Sequence, residues 1–252
     1  MEGKAFEYKK IQPDIRLIDY VESFWLSANH TEDDKEIVLF PDGRVDIIFT
    51  CRAEQPFTVN LFNLDRKAKS FVFTGQTRHF AISLKLIGAE YLLDYDISNL
   101  GSDEIRLTDN FLGITDWDLK GIETFAEKVS EKLLSKLPEK TDERKLNLFK
   151  LIYGSNGAIT VKELSEKLYW SSLQINRYFK QKFGITPKTY CSILRFRATF
   201  NQIKEGKLYP EQNFADQSHF IREIKKFSSF IPKELAKNKN DRFIQFSALP
   251  KS

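Results

Sequence analysis

The stretch that decides the fold runs from Val161 to Tyr190, VKELSEKLYWSSLQINRYFKQKFGITPKTY. Thr160-Val161-Lys162-Glu163, at its start, has the form of a capping box. In such a box a hydroxyl and a carboxylate satisfy each other's free backbone N–H groups at a helix start. Val161, Leu164 and Leu168 then recur at helical spacing. Ser171 is a second N-cap, and Ile175, Phe179 and Phe183 share one face of the helix that follows. Gly184 supplies a stop and Pro187 blocks continuation. Capped helix, tight turn and second capped helix predict a helix-turn-helix.

The second capped helix has a copy 45 residues on. Ser171 aligns with Asp216, Ile175 with Phe220, Arg177 with Arg222, Phe179 with Ile224, Lys180 with Lys225 and Pro187 with Pro232. No strand alternation follows Leu146, so this half is expected to be all-α. In a helix-turn-helix the first helix braces the second, whose N-terminal half enters a major groove about 12 Å wide. Outward residues there must be donors or small groups. Ser172, Gln174, Asn176 and Arg177 qualify, and Arg177 is of the type that binds guanine bidentately.

Charge divides along the same line. Residues 1–145 hold 20 basic and 27 acidic side chains, a net of −7, whereas residues 146–252 hold 19 and 8, a net of +11. A small domain this basic attracts polyanions, of which nucleic acid is the commonest.

Upstream, the chain reads as mostly β. Glu36–Phe40, Pro41-Asp42-Gly43 and Arg44–Thr50 give a hairpin signal, two β-branched and aromatic runs about a turn. Further strands are expected at 57–62, 70–74 and 81–86, which suggests a sandwich or small barrel. Ile122, Phe125, Val129, Leu133 and Leu137 predict an amphipathic helix over 117–137, ended by Pro138. Residues 138–145 contain no large apolar side chain and read as a linker. Arg52, Arg66, Lys67 and Lys69 read as a solvated basic loop.

At these residues the chain resembles the AraC/XylS family of bacterial transcription regulators. The unit from Val161 to Tyr190 is similar to that family's first helix-turn-helix. FADQSHFIREIKKFSSFIPKEL, Phe214–Leu235, resembles its signature, with Phe214, Asp216, Ser218, Phe220, Arg222, Lys225 and Pro232 at matching positions. The resemblance covers roughly Leu148 to Asn238. It implies two helix-turn-helix modules joined by a long helix, about Thr189 to Glu205. The recognition helices, near 171–182 and 216–227, would read successive major grooves about 34 Å apart. The contacts it implies are Ser172, Leu173, Asn176 and Arg177 in the first module and Gln217, Ser218, Ile221 and Arg222 in the second. The cap Ser171, the outward donor Gln174, the cations Lys180 and Lys225, and His219 complete the expected DNA-binding set.

This sequence departs from the family pattern in places. Tyr169 stands at the turn position usual for glycine, Asn213 and Ser229 replace glycines of the signature, and Ile224 replaces phenylalanine. Only KLYPEQNF separates Gly206 from the second recognition helix, where the family has a full bracing helix. YVESFW, LFPDGRVDIIF, TGQTRHF and ISLKLIGAEYLL in the first half are similar to the β-rich N-terminal domain of some of these regulators.

The expected architecture is α+β and multi-domain. A β-rich, cupin-like barrel or sandwich (1–137) ends in the amphipathic helix, followed by the linker, an all-α double helix-turn-helix domain (146–240) and a tail (241–252). The resemblance implies double-stranded DNA as partner, with a small-molecule effector, RNA polymerase and a second copy of the chain as further ones. A protein-interaction module whose second helix-turn-helix no longer reads DNA remains the alternative.

Other classes find little support. No run of about 18 apolar residues spans a membrane, and Met1–Glu7 lacks a signal-peptide pattern. Cys51 and Cys191 fit neither a disulfide framework nor a metal spacing, so a reducing cytoplasm is expected. His30, His79 and His219 are too scattered for a cupin metal centre, and no phosphate loop or nucleophile elbow occurs. Neither a cofactor nor catalysis is expected.

Overall fold

The computed structural model describes residues 5–100, 104–211 and 214–247. The first four residues of the Met1–Glu7 start, Asn213, and residues 248–252 of the expected tail lie outside them. The strands are β1 (Phe6–Ile11), β2 (Val21–Asn29), β3 (Lys35–Leu39), β4 (Val45–Arg52), β5 (Thr58–Phe62), β6 (Lys69–Phe73), β7 (Thr77–Leu84) and β8 (Glu104–Arg106). The helices are α1 (Leu86–Leu92), α2 (Ile122–Lys136), α3 (Glu143–Gly154), α4 (Val161–Leu168), α5 (Ser172–Phe183), α6 (Pro187–Ala198), α7 (Phe200–Lys204), α8 (Gln217–Ser228), α9 (Pro232–Lys237) and α10 (Ile244–Ser247). The chain is α+β, with β-rich structure first and helices after.

It divides into two compact units. One comprises Met1–Lys35, Arg44–Asn63 and Phe73–Leu146, the other Glu36–Gly43, Leu64–Val72 and Asn147–Ser252. The second unit therefore takes two segments from the β-rich half. Glu36, Asp42 and Asp65 in them balance Arg66, Lys67 and Lys69, so the unit keeps its net of +11.

In the first unit β1-β2-β7-β4-β5-β8 form one open antiparallel sheet. Alternation puts Phe24, Leu26, Ile47, Phe49, Val59, Leu61, Phe80 and Ile82 on one buried face. Helix α2 covers it, with the Phe125 ring 6.3 Å from Phe24, 5.2 Å from Phe49 and 5.5 Å from Phe80. This helix begins at Ile122 rather than 117, because residues 116–118 form a separate short 3-10 turn. That turn is closed by a capping box between Thr115 and Asp118.

The expected hairpin does not form. β4 pairs with β5 and β7, while β3 pairs with β6. The reason is Phe40, which is 2% exposed and sits in the core of the second unit. Its ring lies 6.0 Å from Phe196, 6.2 Å from Phe200, 5.2 Å from Phe243 and 5.9 Å from Phe246. Burying one phenylalanine is worth about 1.5–3 kcal/mol. Gly43 then turns the chain with φ +77°, and a Cβ there would lie 2.9 Å from Leu194 Cδ2. The Tyr190 hydroxyl donates to the Gly43 carbonyl at 3.1 Å.

Three other boundaries differ from expectation. Helix α3 begins at Glu143, inside the segment read as a linker. The connecting helix is two helices, α6 and α7, parted at Thr199. Thr199 Oγ1 donates to the Phe196 carbonyl at 2.7 Å, a local bond that competes with helix propagation. It also starts at Pro187, behind the N-cap Thr186, since proline suits a first helical position. Residues 241–247 of the expected tail are folded, because Phe243 and Phe246 are 0% and 2% exposed.

Candidate nucleic-acid interface

Helices α4 and α5 form the expected pair, and local chemistry fixes both starts. Thr160 N donates to Glu163 Oε2 at 2.8 Å and Glu163 N to Thr160 Oγ1 at 3.2 Å. Ser171 and Gln174 repeat the arrangement: Gln174 N donates to Ser171 Oγ at 3.2 Å, and Ser171 N to Gln174 Oε1 at 3.0 Å. The Ser171 hydroxyl also donates to Gln174 Oε1 at 2.8 Å. Ser171 is therefore spent on capping, and Gln174 keeps only its Nε2 amide for a ligand.

Ile175, Tyr178, Phe179 and Phe183 point inward from α5. Phe149 of α3 meets Phe179 and Phe183 at 5.8 Å each, which packs α5 against α3. The opposite face carries Leu173, Arg177 and Lys180, spaced i, i+4 and i+7 and all exposed. Arg177 and Lys180 make no ion pair among the described residues. Ser172 is exposed too, whereas the half-buried Asn176 donates its amide to the Ser172 carbonyl at 2.8 Å.

In the turn, Tyr169 is left-handed at φ +50° and its side chain is 99% exposed. Trp170 beside it packs on Tyr178 at 5.3 Å.

Helix α8 repeats α5 in length, cap and outer stripe. Asp216 caps it, accepting from His219 N at 2.7 Å. Ser218, Arg222 and Lys225 stand at the counterparts of Leu173, Arg177 and Lys180, and all three are exposed.

The remaining expected residues turn elsewhere. Gln217 Nε2 donates to the Leu208 carbonyl at 2.8 Å. His219 Nδ1 accepts from Ala215 N at 3.2 Å. Ile221 packs against the core cluster. Among the described residues no helix lies between Lys204 and Gln217. The Gln217–Leu208 bond ties the intervening chain to α8 where a bracing helix would stand.

Two contributors escaped the sequence reading, Phe40 and Arg66. Arg66 Nη2 donates to the Gly184 carbonyl at 2.9 Å, and Lys69 pairs with Asp65 at 2.5 Å. The segment expected as a solvated basic loop is thus engaged. Neither residue carries a local signal, because each finds its partners more than 100 positions away.

Elsewhere the chemistry is quiet. His79 lies in the sheet, with Nδ1 3.0 Å from Thr50 Oγ1 and its ring stacked 5.1 Å from Phe73. Burial pushes its pKa down to about 4, so it is neutral at pH 7. Burial likewise pushes the Cys191 thiol up to about 11, away from nucleophilic use. Among the described residues, no cluster of three or more His, Cys, Asp or Glu suits a metal ion. Among them too, no helix is long and apolar enough to cross a membrane.

Residues 9–106 match a family described only as a domain of unknown function, DUF6597. The chain is 32% identical over 93 residues to the uncharacterized HTH-type transcriptional regulator YbfI of Bacillus subtilis (strain 168). That match covers 34% of this chain and 33% of the relative, so the chain spans about a third of YbfI. Its fold is similar to ToxT from Vibrio cholerae, with a TM-score of 0.40 and 13% identity over 92% of this chain and 98% of that one. A structure of ToxT with bound unsaturated fatty acid gives 0.39 and 12%, over 94% and 96%.

Proposed function

We propose that the chain is a sequence-specific DNA-binding transcription regulator of the AraC/XylS type, with α5 as its principal reading helix. The observation that carries the reading is the pair of matched outer stripes. Leu173, Arg177 and Lys180 on α5 recur as Ser218, Arg222 and Lys225 on α8, on a unit of net charge +11. Arg177 supplies a bidentate donor for guanine and Leu173 an apolar surface for a thymine methyl, while Ser172 and the Gln174 amide complete base readout. Lys180 meets phosphate.

In the second module Ser218 and Arg222 read a weaker half-site and Lys225 meets phosphate, while Gln217 and His219 are held by the chain before α8. The similarity to an HTH-type regulator supports the same class. The β-rich unit acts as the sensory or dimerising part. A small-molecule effector, RNA polymerase and a second copy are its remaining partners.

The test is a salt-titrated binding assay of the full chain on a duplex selected from a random pool and on a scrambled control. The reading expects at least about a thousandfold preference at physiological salt, with log affinity falling about 0.9 per phosphate contact. The lack of a bracing helix among the described residues favours one rival, a protein-interaction module. Weak association without sequence preference, gone by physiological salt, would favour that rival.

A further inference from the structure

The segment Leu64–Lys69 touches the C-terminal ends of both reading helices. Arg66 donates to the carbonyl of Gly184, the residue that ends α5. Two residues on, Ala68 N donates to the carbonyl of Phe227, in the last turn of α8, at 2.8 Å. Leu64 anchors one end of the segment at 3% exposure, and the Asp65–Lys69 ion pair spans it. Both acceptors lie where a helix presents unpaired carbonyls and the negative end of its dipole, so a guanidinium and an N–H are well matched to them.

Two helices that read successive grooves must keep a fixed separation, about one turn of DNA. In the second module the usual bracing helix is absent among the described residues, and the connecting helix is interrupted at Thr199. Helix α6 meets α5 where Tyr190 and Phe179 lie 5.9 Å apart and α8 where Phe196 and Phe227 lie 5.5 Å apart, and Leu64–Lys69 adds a direct tie between the C-terminal ends of α5 and α8.

We propose that Leu64–Lys69 is the ruler that sets the spacing of the two reading helices, with Arg66 as its positioning residue. This rests on the DNA reading above and extends it to the geometry of the operator. Arg66 touches no base in this scheme. Its loss frees one end of the ruler, so the protein tolerates half-sites moved closer or farther apart. The Arg66 side chain is exposed and makes one bond at the end of a helix, so its removal leaves the fold standing.

The experiment measures affinity of the full chain for the selected duplex and for derivatives with one or two base pairs inserted or deleted between the half-sites. Wild type is expected to bind the best spacing about tenfold tighter than its neighbours, in the range of a single mismatch. Arg66→Ala should flatten that profile to about threefold, and Arg66→Lys, which still donates to a carbonyl, should restore it. Arg66→Met keeps the apolar stem without donors and serves where Arg66→Ala proves unstable.

An unchanged profile in both donor-free variants overturns the proposal. So does a wild type indifferent to spacing, which would leave α5 as reader but α8 unruled. A uniform loss at every spacing with a lower salt slope would make Arg66 a phosphate contact instead. Failure of wild type to prefer any duplex would remove the DNA reading itself.

Discussion

Gly184 and Ser229 stand 45 residues apart and end α5 and α8 in the same left-handed backbone, at φ +66° in both. Each N–H returns to the carbonyl of a lysine four residues back, Lys180 at 3.2 Å and Lys225 at 2.9 Å. The sequence repeat is therefore also a repeat of cap geometry. The conformation is free for glycine and costs a side-chain-bearing residue about 1 kcal/mol.

Ser229→Gly is accordingly expected to raise stability by about 0.5–1 kcal/mol, and Gly184→Ala to lower it by about 1 kcal/mol or more. Denaturant unfolding of the full chain measures both. A Ser229→Gly variant less stable than wild type would show that the serine hydroxyl, not the backbone, decides this cap.

Phe40 gives the second prediction. Its ring fills the centre of a cluster built from α6, α7, α8, α9 and α10, and Gln245 Nε2 donates to its carbonyl at 2.9 Å. Phe40→Ala should destabilise this unit by about 3–5 kcal/mol. A fragment of residues 147–252 should unfold without a sharp transition, because it lacks both inserted segments. Cooperative unfolding of that fragment at wild-type stability contradicts the assignment.

These two cases mark what was legible in the sequence. Caps such as Thr160 and Ser171 announce themselves because donor and acceptor lie three residues apart, and helix faces because their period is local. The order β-rich then helical follows from the same local patterns. Phe40 and Arg66 were not legible. An apolar residue before Pro41-Asp42-Gly43 reads as the end of a hairpin strand unless its partners, 150 to 200 positions on, are known. The contacts of Gln217, His219 and Ile221 were not legible for a related reason. Position on the helix is periodic, but which side chains a preceding irregular segment engages is not.

His79 makes stability depend on pH. Its folded pKa, about 4, lies below the ordinary value near 6.5. Between those values the unfolded chain binds the proton and the folded chain does not. Stability from this group is thus fully present above about pH 6.5 and falls as pH drops toward 4, by at most about 3 kcal/mol. The groups facing the ring are Thr50 and Phe73, neither of which titrates. Urea midpoints at pH 7 and pH 5 should converge in His79→Phe relative to wild type. An identical pH dependence in the variant contradicts the buried neutral ring.

Whether α5 reads base edges through Arg177 is decided by selecting bound duplexes from a random pool with the full chain and with Arg177→Ala. Wild type should enrich one motif. Arg177→Ala should enrich the same motif with a single guanine position relaxed, at a cost of about 1–3 kcal/mol for the original site. Lys180→Ala run in parallel should keep every position and only weaken binding, lowering the salt slope by about one. An unchanged motif and affinity in Arg177→Ala, or no motif for wild type, would contradict that role for Arg177.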